Sequence, residues 1–499
     1  MEIQADVVVA GAGPVGLLAA IELTLGGARV LVLERLAEPS LTIKALSLGP
    51  LGCEAVERRG MAAEVAAAEA RSQAVMQQFT AQTGSDLRLG GGKFSGHFAG
   101  LPLIRKDAQR EPERRARFVD QQSLEAMLAE RARALGIDVR RECEVSGFEQ
   151  DAAGVTVHWT ASDGPAHIRC AYLLGCDGGR STVRKLAGFD FPGTPPSLTF
   201  YQAIAEVDHP ERLLPTGWRR TATGVFAYGP IPGRLFMLDF SGPPTDREAP
   251  VTHEEIETTL RHISSADVRL KALQAANRWT DNTRLVDTYR QGRVLLAGDA
   301  AHIHTPFGGQ GMNLGLVDAA NLGWKLAAVL RGEMPDSLLD TYTTERRPVA
   351  EAVLANTLAQ VAILRPDPQA GAMREIIAHL MQFDEVNRYI GELMSGHFTR
   401  YDCGAEQDEV GRLIGDRPLG SSTLYAAMQG GHGVLLDASK GQQATHLVAT
   451  HTRRVRCITI DSGPSLLVRP DACVAWQGKD GSTAGLAEAV QCWFGPAAA

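Results

Sequence analysis

The chain has 499 residues, 44% hydrophobic and 22% charged, the balance of a folded polypeptide long enough for about three domains rather than a disordered or fibrous one. Its net charge of −8 gives no general attraction for nucleic acid or an anionic membrane surface, and no basic arm supplies one locally, so neither is expected as a partner. Its eight cysteines follow neither a C-x-x-C nor a zinc-ligand spacing, so reduced thiols and no metal site are expected.

Residues 6–10, Asp-Val-Val-Val-Ala, read as a buried strand. Gly11-Ala12-Gly13-Pro14-Val15-Gly16 follows at once and opens a helical pattern carried by Leu17, Leu18, Ile21 and Leu23. In such a strand-to-helix turn the first glycine permits the tight bend, the second lets a pyrophosphate approach the backbone, and the third lets helix and strand pack closely. A second apolar run, 28–33, ends at Glu34-Arg35, roughly twenty residues past the glycines, where an acidic side chain would meet a ribose hydroxyl. A glycine-rich turn with no ligand is the alternative, but strand, helix and Glu34 in register favour a dinucleotide site. The glycines, Pro14 and Glu22 interrupt the apolar stretch 7–25, so no membrane helix is expected there. No basic segment or small-residue cleavage site precedes the first strand, which predicts a cytoplasmic protein.

Residues 73–105 alternate in polarity and contain Gly90-Gly91-Gly92, which reads as sheet with a hairpin tip. Gln121 lies four residues before Glu125 on a predicted helix. The segment Tyr172 to Arg184 again runs from a strand into glycines, here with Asp177 and the Ser181-Thr182 pair, and alone it reads as a turn and helix cap. Runs at 197–207, 224–228 and 234–240 look like strands broken by Pro230-Ile231-Pro232-Gly233, a sheet inserted before the next fingerprint. Their Tyr201, Phe226, Tyr228, Phe236, Met237 and Phe240 either line an apolar pocket for a flat polycyclic molecule or fill the sheet's own core; alternation puts one face toward a pocket without saying which.

The most specific segment runs from Arg293 to Gly315. A buried strand, 294–297, delivers Gly298 and Asp299 into the glycine-dense loop Pro306 to Asn313, which opens a helix reaching Trp324 and Lys325. Strand, loop and helix mouth together suit a phosphorylated ligand, and the loop's backbone amides are placed to stabilise negative charge. His302 and His304 flank the loop; hydrogen-bonding structural roles are expected, with acid-base work as the alternative. Helical patterns return over 340–394. Beyond residue 402 the runs 433–437, 445–450, 455–461 and 466–476 read as strands and 483–493 as a helix.

Taken together, these segments resemble the class A flavoprotein aromatic monooxygenases of the p-hydroxybenzoate hydroxylase type, and most closely their polyketide-tailoring and phenol hydroxylase branch. The matching pieces are Gly11-x-Gly13-x-x-Gly16, Asp177-Gly178, Gly298-Asp299 with Pro306-x-Gly308-Gly309-Gln310-Gly311-x-Asn313, Trp324-Lys325-Leu326 and Tyr342-x-x-Glu345-Arg346-Arg347-Pro348. The resemblance implies an α/β fold with a discontinuous Rossmann-like FAD-binding domain (1–72, 106–185 and 280–395), an inserted β-sheet substrate domain (73–105 and 186–279) and a thioredoxin-like domain (400–499). Gly415-Asp416-Arg417-Pro418, Gly430-Gly431-His432-Gly433 and Val468-Arg469-Pro470-Asp471 carry the last of these, which lacks a redox cysteine pair and is expected to serve packing or assembly.

The same resemblance implies that FAD would be held by Gly11, Gly13, Pro14, Val15 and Gly16, with Glu34 at the adenosine ribose and Arg35 beside it, and with Gln121, Asp177 and Gly298 along the cofactor. Asp299 would meet the ribityl chain, and Pro306, Gly309, Gly311, Met312 and Asn313 the isoalloxazine ring. Pro306 and Gly308 would position the activated oxygen. Lys44 stands where many relatives have arginine, keeping the charge but losing the planar fork. Tyr201, Phe226, Phe236 and Phe240 are the expected substrate contacts.

No second G-x-G-x-x-G occurs in residues 100–499, so NADPH or NADH is expected to bind transiently, reduce the flavin and leave. The expected reaction transfers one oxygen atom of O2 to an aromatic, polyketide-derived small molecule, foremost by hydroxylation, with Baeyer-Villiger insertion as the other outcome. A flavin oxidase or dehydrogenase, and a flavin-binding protein without turnover, are the alternatives; a homodimer is compatible with the chain.

Overall fold

The computed structural model describes residues 3–83, 94–404 and 407–496, and in it the apolar runs become the centre of an eight-stranded mixed sheet. Ala5–Ala10 pairs in parallel with Val30–Leu33 on one side and Gly164–Gly175 on the other, so that Val7 stands opposite both Val30 and Tyr172. Val294–Leu296 extends the parallel set, Val294 opposite Leu173. Strands covered on both faces must be apolar throughout, which is why these runs show no alternation. Because they run in one direction their carboxyl ends share an edge, and Gly11, Glu34, Asp177 and Asp299, remote in sequence, become neighbours there. Helix Pro14–Leu25 crosses helix Gln310–Leu330 so closely that a side chain on Gly323 would meet the Glu22 Cβ at 2.3 Å.

A five-stranded antiparallel sheet follows the order Gly217–Arg220, Gly224–Tyr228, Arg234–Asp239, Thr199–Val207, Leu270–Thr280. Helix His253–Ser264, started by the Thr252 hydroxyl accepting from the Glu255 amide, covers one of its faces with Ile256, Leu260 and Ile263. Among the described residues, those of 73–105 add no strand to this sheet. Residues up to Thr83 complete the long helix Ala62–Thr83, while Phe94–Phe98 and Leu101–Arg105 make a separate two-stranded ribbon; Gly90-Gly91-Gly92 lies outside the described residues.

The C-terminal unit has a four-stranded sheet in the order Val455–Thr459, Gly433–Asp437, Ser465–Val468, Val474–Gly478, the first pair parallel and the rest antiparallel. This βαβ-ββα arrangement is thioredoxin-like. Residues 445–450, expected as a strand, instead belong to the crossover, because two adjacent parallel strands need a connection that passes over the sheet. Asp437 starts that crossover by accepting from the Thr445 amide and hydroxyl at 2.8 and 2.7 Å.

Buried ion pairs join this unit to the rest. Arg469 donates to both Glu345 oxygens at 2.7 and 2.8 Å, Lys325 donates to Glu345 at 2.7 Å, and Arg59 bridges Glu22 to the carbonyls of Met428 and Pro470. Charges this deeply buried stay only where every lone pair is matched, so the interface tolerates little rearrangement. Among the described residues no helix is long and apolar enough to cross a membrane.

Candidate active site

The shared strand edge opens into a cavity of about 1850 Å³ that runs from the glycine fingerprint to the five-stranded sheet. A single small-ligand pocket occupies roughly 300–1,000 Å³, so this volume suits a dinucleotide together with a second molecule.

At the fingerprint end, Gly11 has φ +104 and a side chain there would strike the Cys176 carbonyl oxygen at 2.5 Å, while one on Gly16 would strike the Gly11 carbonyl oxygen at 1.9 Å. Gly13 differs: nothing lies within 4 Å of where its Cβ would be, and it faces the cavity beside Pro14 and Val15. That open backbone at a helix mouth has the shape and the free amides that a pyrophosphate cradle requires. Glu34 accepts from the amides of Ala12 and Leu36 at 2.8 and 2.9 Å, which fixes its carboxylate at the cavity wall with lone pairs left for a ribose. Arg35, Lys44 and Gln121 line the same end, with Gln121 donating to Glu125 at 2.8 Å.

Asp177 also reaches the wall, but its oxygens are engaged by the Ser181 hydroxyl at 2.5 Å and by the amides of Thr182 and Val183 at 2.7 and 3.1 Å. It holds the start of helix Thr182–Ala187, the turn-and-cap role that its local sequence alone suggests. Gly298 does not line the cavity; a side chain there would press on Val15 at 3.0 Å, so this glycine serves packing under the cradle. Asp299 faces the cavity, and among the described residues it makes no side-chain hydrogen bond, leaving both oxygens for a polyol.

The loop Pro306 to Asn313 is built on two successive left-handed glycines, Gly308 at φ +75 and Gly309 at φ +62. A Cβ on Gly308 would meet the Met394 methyl at 2.3 Å, so the loop packs directly under helix Asp384–Ser395. Pro306, Gly308, Gly309, Gly311, Met312 and Asn313 all line the cavity, and Asn313 ties the loop to the facing wall through Gly49.

His302 is fully buried, with Nε2 2.7 Å from Asp318, whose other oxygen accepts from Arg346 at 2.7 Å. Burial alone would raise the Asp318 carboxyl, but Arg346 and His302 hold it below its usual range, so this is a structural ion cluster. His304 is different. Its Nδ1 lies 2.7 Å from the Thr305 carbonyl and so carries the proton, while Nε2 is buried without a partner and the ring lines the cavity beside Gly311. Burial and neighbouring His302 bring its pKa down to about 4, so it presents a neutral acceptor at neutral pH.

At the far end the five-stranded sheet supplies the wall. Ala227, Phe236, Gln202 and Asn277 stand side by side across adjacent strands and face the cavity with Trp218 and Trp279. Of the four expected substrate contacts only Phe236 is on this wall. Tyr201 and Phe226 point to the opposite face, under helix His253–Ser264, where the Tyr201 hydroxyl bonds Glu255 at 3.0 Å; Phe240 shares the hydrophobic cluster of Phe236, Trp218 and Trp279 but lies beneath the Arg365 guanidinium, off the cavity lining. Alternation separates Tyr201 from Gln202 and Phe226 from Ala227, and the covering helix, unread in the sequence, decides which set is core.

Arg234 was also missed. It is 8% exposed, lines the cavity, and donates to the Lys44 carbonyl at 2.8 Å and to Gln202 Oε1 at 2.9 Å, both neutral acceptors. Burial lowers its pKa to about 10, with the Asp120 charge opposing, and among the described residues it makes no ion pair with a carboxylate. Asn277 stands opposite Gln202 on the next strand, and its Oδ1 is buried with no hydrogen-bond partner among the described residues. Together these groups offer donors and one acceptor to an oxygen-bearing ligand held among aromatic rings.

Comparison with known proteins agrees with this geometry. Residues 4–357 match the FAD binding domain family and residues 408–497 the aromatic-ring hydroxylase C-terminal family. The chain is 41% identical over 520 residues to a 12-dehydrotetracycline 5-monooxygenase/anhydrotetracycline 6-monooxygenase of Streptomyces rimosus, covering 99% of each. It is 38% identical to a rifampicin monooxygenase of Streptomyces venezuelae, again with 99% of each chain covered. The solved structure of the anhydrotetracycline hydroxylase OxyS from Streptomyces rimosus superposes with a TM-score of 0.85 at 39% identity, covering 99% of this chain and 100% of that one.

Proposed function

Because the chain belongs to the FAD-dependent aromatic-ring monooxygenases, we propose that it transfers one oxygen atom of O2 to a flat, oxygen-bearing polycyclic aromatic of polyketide type, with NADPH or NADH as electron donor and the cytoplasm as its place of work. The single observation that carries this reading is the continuous cavity, which joins the Gly13 and Asp299 cradle to the wall of Trp218, Phe236 and Arg234. When bound, FAD supplies electron acceptance from the nicotinamide and activation of dioxygen, and the protein supplies position, electrostatics and a dry pocket.

The glycine turn and the mouth of helix Pro14–Leu25 would hold the pyrophosphate, Glu34 the adenosine ribose, Asp299 the ribityl chain, and Pro306 to Asn313 the ring. Trp218, Phe236 and Trp279 exclude water from the ring-facing side and would stack on a planar substrate. Arg234 and Gln202 would anchor a substrate oxygen, and a guanidinium that makes no ion pair among the described residues favours that oxygen as an anion. An ionised phenol or enol pushes electron density into its ring, so this wall supports hydroxylation at carbon over insertion beside a carbonyl.

Turnover of an aromatic polyketide panel under oxygen-18 gas tests the reading. One labelled atom per product is expected; an unlabelled oxidised product accompanied by hydrogen peroxide would show an oxidase instead, and no substrate-dependent NAD(P)H oxidation would show a protein without turnover.

A further inference from the structure

Cysteine spacing shows no redox motif, and the loop that follows the first strand of the C-terminal sheet reads Ala438-Ser439-Lys440-Gly441, without a cysteine. The fold nevertheless brings two cysteines 70 residues apart into contact: the Cys403 and Cys473 sulfurs are 3.8 Å from each other. Cys403 lies in the segment that leaves helix Asp384–Ser395, at a turn between exposed Asp402 and Gly404 in which the Asp402 carboxylate accepts from the Gly404 amide at 2.9 Å. Cys473 is fully buried in the turn between strands Ser465–Val468 and Val474–Gly478, where Ala472 has φ +67, and its amide and carbonyl are bonded to Asp471 and Arg469.

We propose that Cys403 and Cys473 form a redox-active dithiol that takes hydrogen peroxide as its oxidant and closes to a disulfide. The pair has the asymmetry such a site needs, one sulfur at a half-buried turn that a small oxidant can reach and one held behind it as the resolving thiol. The contact with Cys473, in which either sulfur can donate, and the Arg469 charge favour the Cys403 thiolate against the opposing effects of burial, Glu345 and Asp471; burial pushes the Cys473 thiol up. The thiolate of Cys403 attacks one peroxide oxygen, the O–O bond breaks, and a sulfenic acid and hydroxide result. Cys473 then attacks that sulfur, the S–S bond forms and water leaves. In sum two thiols lose two electrons and two protons, and one peroxide becomes two waters.

A flavin monooxygenase that reduces oxygen without a substrate at hand releases peroxide, so the source of the oxidant, though not the site itself, rests on the function proposed above. The closed form would tether the segment that follows Met394, whose methyl packs on Gly308 of the ring-binding loop, to the C-terminal sheet.

The test uses the full-length holoenzyme, reduced, freed of reductant and treated with added hydrogen peroxide, so that it stands whether or not the proposed monooxygenase activity holds. Expected are a loss of two titratable thiols and two hydrogen masses per chain, a peptide linking Cys403 to Cys473, and full reversal by dithiothreitol. Cys492→Ser should keep the linked peptide, and Cys403→Ser should abolish it. An oxygen-bearing acid accumulating at Cys403, a link from Cys403 to Cys492, or both thiols surviving would each overturn the proposal. Cys473→Ala adds a second arm, and if it does not fold the wild-type peptide map decides alone.

Discussion

Asn313 clasps Gly49 across the cavity: its side-chain Oδ1 accepts the Gly49 amide at 2.7 Å, although 264 residues separate the two. The same side chain donates from Nδ2 to the Gly309 carbonyl at 2.8 Å, so one amide fixes the ring-binding loop and the opposite wall together. Gly49 and Gly52 are what allow this approach, since a Cβ on Gly52 would lie 2.3 Å from Asn313 Oδ1.

Asn313→Asp keeps the shape but replaces the donor by a second acceptor facing the Gly309 carbonyl. An unmatched buried polar contact costs about 1–3 kcal/mol, which is about a 10- to 100-fold loss of FAD affinity if the loop must be reordered on binding. Flavin titration of the apoprotein measures it. Unchanged affinity would mean that the clasp does not shape the cofactor site.

Asp299 makes the opposite case, because it has cavity in front of it and, among the described residues, no side-chain hydrogen bond. Asp299→Ala should leave the melting temperature of the apoprotein unchanged and still weaken FAD binding by about 10- to 100-fold, the worth of a charge-assisted hydrogen bond. His304→Gln, which keeps a side-chain acceptor, should weaken it less. Equal flavin retention in the two variants would remove the ribityl assignment from Asp299.

Arg234→Met should reduce kcat/KM for a phenolic substrate by about 30- to 1,000-fold, the loss of a buried charged contact of about 2–4 kcal/mol, with Arg234→Lys intermediate. FAD affinity should change little, since the Lys44 contact is to a main-chain carbonyl. The sharper readout is optical. A hydroxylated anthraquinone bound to the wild type should ionise at lower pH than in water, and that shift should vanish in Arg234→Met. A bound ligand whose ionisation is the same in both proteins would leave Arg234 without the anchoring role.

The residues around these predictions were not equally legible in sequence. The parallel strands and glycine turns could be read because their requirement is local: a helix crossing a strand at Gly16, or a left-handed pair at Gly308-Gly309, admits little but glycine. The cavity wall could not, because both faces of the strand Thr199–Val207 carry plausible side chains and helix His253–Ser264, far along the chain, settles that Tyr201 is core and Gln202 faces the cavity. Arg234 looked like an ordinary residue after a Pro-Gly turn; that it makes no ion pair with a carboxylate among the described residues is a property of three dimensions. The Cys403 and Cys473 contact is invisible for the same reason.

Acid sensitivity follows from three half-buried histidines around the cavity, His97, His304 and His397. Burial brings His97 down to about 4, helped by Arg374; burial and His302 bring His304 to about 4, with Asp299 opposing; burial, Arg114 and Arg412 bring His397 to about 3. Unfolded, each would titrate near 6.5, so between that pH and the folded values the unfolded chain binds more protons than the native one. Stability therefore falls as pH falls through this window, by up to about 1.4 kcal/mol per pH unit for each group, or on the order of 4 kcal/mol per unit if all three act together. Urea unfolding at about pH 7.5, 6 and 5 with saturating FAD should show this decline, and His304→Gln should flatten it by about one proton's worth. A wild-type midpoint that stays level over the same range would mean that these imidazoles are not held neutral, and with them would go the reading of His304 Nε2 as a free acceptor at the cavity wall.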